Sequence, residues 1–252
     1  MLPIILFYII VFLFGIIIGS FLNVCIYRLP LKEDIIVKPS HCMQCGAKLK
    51  WYDLLPLVSW MVLGGKCRSC KTSISVQYPL IEALNGVLYV LIFAVNGWNA
   101  ESLLYCFLVS ALIVLSVIDF RTYEIPFGIN LFILALGLIH LALDYKNWSL
   151  YVIGFFAVSV FLEIIIWISE GKAIGGGDMK LMAAAGLLLG WKLIVLSFVL
   201  GCIYGSVIHS LRMRTSKESH VLAMGPYLSM GIMTAALFGN AWIDWYIIFL
   251  RI

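Results

Sequence analysis

Two carboxylates and four cysteines are the groups in this chain whose spacing could do chemistry. Asp178 follows three glycines in Ala173-Ile174-Gly175-Gly176-Gly177-Asp178-Met179-Lys180, between two strongly apolar runs. Glycine has no Cβ, so a helix or a substrate backbone can come close there. A carboxylate so near to lipid is costly and needs a reason. Asp119 ends another apolar run. Two close carboxylates resist double ionisation and share a proton. The ionised one can then take a proton from water while its protonated partner polarises a carbonyl. Asp119 and Asp178 are therefore expected to meet at one membrane face and hydrolyse a peptide bond. Taken alone, Asp119 reads equally well as a solvated residue at a span end.

The cysteines point to a metal. Cys42-x-x-Cys45 is followed, after 21 intervening residues, by Cys67-x-x-Cys70. Two such pairs suit a tetrahedral thiolate site, the usual geometry of structural zinc. All four positions would be filled by protein, leaving no open position for a water. Unligated or redox-active thiols are the competing reading. Cys25, Cys106 and Cys202 lie in apolar runs and read as small fillers.

The elements that must position these groups are membrane helices. Of 252 residues, 63% are hydrophobic and 12% are charged, with mean hydropathy +1.06. An ordinary soluble domain is about 25% charged. The expected fold is an all-α polytopic membrane protein. It has about eight transmembrane helices and a small cytoplasmic zinc-ribbon-like loop domain. Apolar runs place the spans near 4–26, 80–95, 102–118, 126–143, 150–169, 179–189, 193–211 and 222–238, with an aromatic, interfacial tail at 242–252. No Asp, Glu, Lys or Arg occurs in residues 1–27, so that stretch reads as a retained span rather than a signal peptide. The division follows as residues 1–27, a first helix; 28–78, a tetracysteine domain; and 79–252, a transmembrane core. No internal repeat or flexible linker is evident.

Charge orients the spans. With eight of them and the N-terminus outside, segments 28–78, 119–125, 170–180 and 212–220 face inward and hold 14 of the 17 Lys and Arg residues. Merging the short sixth span with the seventh would send Arg212, Arg214 and Lys217 outside. The short span is therefore kept, in a thinned or protein-lined region. Both aspartates then fall on the cytoplasmic side. A net charge of +4 gives no case for nucleic acid, and none is expected as a partner. Among the other polar residues, Glu163 is placed to snorkel or pair, and His140 to make an interfacial hydrogen bond. Glu82, at the opening of the second span, suits the helix dipole as a cap.

The motifs in order extend over nearly the whole chain. They are Gly15-Ile-Ile-Ile-Gly-Ser-Phe-Leu-Asn-Val-Cys-Ile-Tyr-Arg-Leu-Pro30, the two cysteine pairs, Tyr78-Pro79-Leu80-Ile81-Glu82, Asp119 with Ile125-Pro126, Gly175-Gly176-Gly177-Asp178-Met179-Lys180, and Gly225-Pro226-Tyr227-Leu228. This set resembles the type IV prepilin peptidases, the prepilin leader peptidase/N-methyltransferases of the GxGD aspartic peptidase group. A GxGD alone would be shared with presenilin-like proteases; the ordered set is specific. One departure is Phe127, where the family pattern leads one to expect asparagine after Ile-Pro.

The resemblance implies a bifunctional enzyme of the bacterial inner membrane. Such an enzyme cuts the basic leader from type IV prepilins or pseudopilins after a glycine, at the cytoplasmic face. It then methylates the new N-terminal amine with S-adenosylmethionine. By the same resemblance Asp119 and Asp178 are the catalytic pair, and zinc is the structural metal of Cys42, Cys45, Cys67 and Cys70. By motif position, Asn23, Arg28, Glu82, Gly175, Gly177 and Lys180 are candidate substrate or cofactor contacts. No GxGxxG stretch marks a cofactor site. A peptidase without methyltransferase activity, a membrane transporter and a secretion-system assembly factor are the alternatives. A transporter should carry polar groups near midplane on several spans, whereas here the acidic motifs sit at the boundary.

Overall fold

The structure is a computed structural model that describes residues 2–215 and 222–250. It is helical throughout, with no strand among the described residues. Among the described residues ten α-helices follow in order: α1 (Leu2–Arg28), α2 (Val58–Val62), α3 (Gln77–Asn96), α4 (Ala100–Thr122), α5 (Phe127–Leu143), α6 (Trp148–Ala157), α7 (Ser159–Ile168), α8 (Gly176–Leu189), α9 (Trp191–Thr215) and α10 (Gly225–Leu250). Among the described residues, six segments are long and apolar enough to cross a membrane: α1, α3, α4, Tyr145–Ile168 (containing α6 and α7), α9 and α10. The chain is thus a multi-pass membrane protein. With α5 and α8 added, the helices follow the eight apolar runs of the sequence. The basic segment 212–220 and the end of the tail lie partly outside the described residues.

The chain divides into two compact units, Met1–Ser102 and Leu103–Ile252. In the first unit α1 packs on α3. The approach is too close for side chains. A Cβ on Gly15 would stand 2.6 Å from the Cα of Gly86, and one on Gly19 would stand 2.7 Å from the Cα of Glu82. Small residues four apart are the usual device for close helix contact in lipid. Asn85 Nδ2 donates to the Gly15 carbonyl at 2.7 Å, a buried hydrogen bond that pins the pair. Pro79 sits in the first turn of α3, where its missing N–H costs nothing. Between the two helices lie the cysteine turns and α2.

The second unit is built around α8. At 14 residues this helix is about 21 Å long, short of a ~30 Å hydrocarbon core. It does not need to span lipid unaided. Residues 181–189 are all buried, packed among α5, α6, α7, α9 and α10. The protein-lined setting expected for the sixth span is what the packing provides. Pro126 caps α5 and Pro226 lies in the first turn of α10, both positions where a fixed φ favours starting a helix. The tail differs from the sequence reading: α10 runs on through Gly239 and Asn240 to Leu250, with no proline to end it.

At the far end of α8, His140 is buried and its Nδ1 lies 2.7 Å from the Leu188 carbonyl oxygen. A carbonyl only accepts, so Nδ1 carries the proton. This is the hydrogen-bonding role expected of His140, made to backbone inside the bundle.

Candidate active site and metal centre

Four helix ends in the second unit converge on the two aspartates. Asp119 lies in the last turn of α4 and is 5% exposed; Asp178 lies in the first turn of α8 and is 9% exposed. The two carboxyl groups are within electrostatic reach of each other. Asp119 Oδ2 accepts the backbone N–H of Gly225, the first residue of α10, at 2.9 Å. A Cβ on Gly225 would lie 2.7 Å from that same oxygen, so only glycine brings the N–H this close. Asp178 stands at the positive end of the α8 dipole, a favourable place for a carboxylate. Its Oδ1 is buried and has no partner within the protein.

The glycine run divides by position. A Cβ on Gly177 would meet the Ile125 side chain at 3.1 Å, whereas one on Gly176 would meet nothing within 4 Å. Gly177 therefore admits the segment that follows Asp119, and Gly176 faces open space. The chain leaves α4 through Tyr123 at φ +56°, whose N–H bonds back to the Asp119 carbonyl at 2.8 Å. That left-handed residue turns the chain so that Ile125 reaches α8. Asn130, in the first turns of α5, donates through Nδ2 to the Gly177 carbonyl at 3.2 Å. Its Oδ1 is buried and unpartnered, like Asp178 Oδ1. Lys180 is exposed, its Nζ 5.7 Å from the centroid of the exposed Phe127 ring.

Sequence reasoning missed Asn130 and the part played by Gly225. Asn130 stands three residues beyond Phe127, the position where an asparagine was expected, and that displacement was the available signal. Gly225 was legible as part of a motif but not as a hydrogen-bond donor, since its partner is 106 residues away.

In the first unit the four cysteine sulfurs all lie within 4.8 Å of one another. Cys42 and Cys70 Sγ are 3.8 Å apart. Four thiolates at ~2.3 Å from a tetrahedral zinc would stand about 3.8 Å from each other, so the donor set fits that ion. Each pair sits on the same turn, repeated at a 25-residue offset that the sequence did not display. Gly46 N–H bonds to Cys42 O and Cys42 N–H to Ala47 O; Lys71 N–H bonds to Cys67 O and Cys67 N–H to Thr72 O. Leu49 N–H to Ser40 O matches Ile74 N–H to Gly65 O. Gly46 and Lys71, at equivalent places, both have positive φ, +69° and +60°. Hydrogen bonds donated by the Thr72 hydroxyl and the Thr72 backbone N–H bring the Cys70 thiol down to about 6.

The remaining predicted residues of this unit are tied to the chain itself. Asn23 Nδ2 donates to the Tyr78 carbonyl at 3.2 Å, between α1 and the start of α3. Arg28 donates to the carbonyls of Asp34, Lys38 and Pro39, which folds the start of the loop around it. Glu82 does not cap its own helix. It is buried, and its Oε2 accepts the N–H of Leu57, the residue that opens α2, at 2.8 Å. Glu82 lies five residues into α3, too far from the free N–H groups of that helix to cap them.

Residues 13–95 match the Bacterial Peptidase A24 N-terminal domain, and residues 106–210 match the Type IV leader peptidase family. Relatives of the chain carry the name prepilin leader peptidase/N-methyltransferase. That of Aeromonas salmonicida (strain A449) is 31% identical over 278 residues, covering 96% of this chain and 94% of its own. That of Pectobacterium carotovorum subsp. carotovorum is 34% identical over 249 residues, covering 86% and 88%. That of Myxococcus xanthus (strain DK1622) is 34% identical over 209 residues, covering 81% of this chain but only 62% of the relative. No solved structure matches the chain.

Proposed function

We propose a function for a chain that belongs to the type IV leader peptidase family: removal of the leader from type IV prepilins or pseudopilins, followed by N-methylation of the new terminus. The observation that supports the peptidase half is that Asp119 and Asp178 are both buried, at the ends of α4 and α8, within electrostatic reach of each other. We assign them as the catalytic pair. The Gly225 N–H favours negative charge on Asp119 Oδ2, so Asp119 takes a proton from the attacking water. Asp178 holds the shared proton on its unpartnered side and donates a hydrogen bond to the scissile carbonyl oxygen. Water oxygen adds to the carbonyl carbon as Asp119 takes the water proton and Asp178 passes its own to the carbonyl oxygen, giving a tetrahedral diol. The C–N bond then breaks as the Asp119 proton passes to the leaving amine and a diol hydroxyl proton returns to Asp178. One carboxylate and one carboxylic acid remain, as at the start.

The open side of Gly176 is where we place the extended backbone of the substrate, with Lys180 near the mouth. The distribution of Lys and Arg supports a cytoplasmic location for these groups and the cysteine domain, with the N-terminus outside. A substrate with a cationic leader and an apolar helix would present its scissile bond at that depth.

The four thiolates would hold a structural zinc, which closes two sequence-distant turns into one domain. Methyl transfer enters through the family and the relatives' names. S-adenosylmethionine supplies an electrophilic methyl group to an amine that has lost its proton. Asn23, Arg28 and Glu82 have their polar groups bonded to the chain, which favours a scaffolding role for them, and no methyl-donor site is built on them.

The test is co-expression with a type IV prepilin and intact mass of the product. Loss of the leader with a methyl increment supports both activities, and loss without the increment supports the peptidase alone. No processing of any of several prepilins would overturn the reading.

A further inference from the structure

One stretch of the inner loop is out of keeping with its polar surroundings. Residues 54–63 read Leu-Leu-Pro-Leu-Val-Ser-Trp-Met-Val-Leu, nine apolar residues around one serine. They are not a core. Leu54, Leu55, Val58, Met61 and Val62 are exposed, Met61 by 63% and Val62 by 76%, and so is Trp51 just before them. The Trp60 side chain is bonded inward, its Nε1 donating to the Ile74 carbonyl at 3.3 Å. An apolar run of about ten residues is too short to span a bilayer and suits an interfacial segment.

Its position within the first unit says what covers it. Leu57, which opens α2, is held by Glu82 at 2.8 Å. Glu82 is buried against Gly19 of α1. It lies five residues inside the start of α3, and Gly19 lies nine residues before the end of α1. At 1.5 Å per residue, Glu82 stands about 8 Å in along α3 and Gly19 about 13 Å in along α1. The Glu82 side chain therefore holds Leu57 close to the ends of the α1–α3 hairpin. With both helices read as membrane spans, that is the level of the interface.

Charge points to the same partner. Lys48, Lys50, Lys66, Arg68 and Lys71 flank the apolar run and are all exposed; the one acid between them, Asp53, is bonded to Arg68 at 2.8 Å. An apolar ridge with a tryptophan, bracketed by cations, complements an anionic leaflet. We propose that residues 51–62 are a membrane-interface anchor that docks the cysteine domain on an anionic bilayer surface. The Leu57–Glu82 bond sets its depth, and the cysteine turns on either side are held at that height.

The test uses the full chain in nanodiscs containing phosphatidylglycerol. p-Benzoylphenylalanine is placed at Met61, at Val62 or, as a control, at Met43, which is exposed on the first cysteine turn. After irradiation, intact mass identifies the adduct. Phospholipid adducts several-fold more abundant at 61 and 62 than at 43 are expected, falling several-fold in purely zwitterionic discs. Lipid adducts no more frequent at 61 and 62 than at 43 would overturn the proposal. So would crosslinks at 61 and 62 to protein, whether the same chain, a second copy or an added prepilin. An unchanged yield without anionic lipid would remove the electrostatic half. All three positions are exposed, so folding is preserved, and metal content checks it independently of any peptidase activity.

Discussion

Replacing Gly225 by alanine perturbs the pair without touching either carboxylate. The added Cβ would lie 2.7 Å from Asp119 Oδ2 and 3.0 Å from both Asp119 Cγ and Leu115 Cδ2. Ordinary contact begins at 3.4 Å, so Asp119 must retreat by about 0.7 Å or α10 must shift. Overpacking of this kind costs ~1–3 kcal/mol of stability, which a membrane bundle of this size should survive. Catalysis should suffer more. The Gly225 N–H bond to Asp119 lengthens, and a misplacement near 1 Å costs on the order of 10²-fold in rate. The assay is prepilin cleavage by purified protein, with kcat separated from KM. A fall of about 10²-fold in kcat with KM little changed is expected, because the backbone site proposed at Gly176 is untouched. Gly205→Ala in α9 is the control: its Cβ would meet the Tyr227 ring at 3.6 Å, an ordinary contact, and its rate should stay near that of the parent. A Gly225→Ala enzyme with parental kcat would refute the positioning of Asp119 by this backbone N–H.

Asp119→Asn or Asp178→Asn should abolish leader removal while membrane insertion persists; full cleavage by either variant refutes the pair. Because the pair must hold one proton, cleavage should decline at low pH, when both carboxyls are protonated, and at high pH, when both are ionised. A rate that keeps rising in both directions would contradict a shared proton. Cys42→Ser should release zinc, read by metal analysis of the purified protein; unchanged zinc content would count against ligation by four thiolates. Lys71→Val should weaken the second cysteine turn by ~1–2 kcal/mol, since a β-branched residue is poorly tolerated at φ +60°. Its zinc should be lost to a competing chelator at lower chelator concentration than in the parent. Asn130→Ala should lower cleavage by loosening the Gly177 turn while leaving zinc content unchanged, and an unaffected rate would remove Asn130 from the site.

Sequence alone determined the membrane helices, because burial in lipid demands long apolar runs that are visible without knowing any contact. The short α8 also followed from the sequence, since cations at 212–217 would otherwise lie on the wrong side. The cysteine pairs announced a four-thiol cluster through spacing, and Asp178 announced itself through the glycines before it. What the tertiary structure decided concerns partners far apart in the chain. The Gly225 N–H that holds Asp119 leaves no trace in composition, because every residue but proline carries one. Asn130 reaches Gly177 across 47 residues, and Glu82 holds Leu57 instead of its own helix end. The polar label on the inner loop concealed residues 54–63, whose exposure became apparent only once the loop was folded. Periodicity and spacing report how a residue meets its neighbours along the chain. Which backbone group stands 2.9 Å from Asp119 depends on how α4 and α10 pack, and that is a property of the folded bundle.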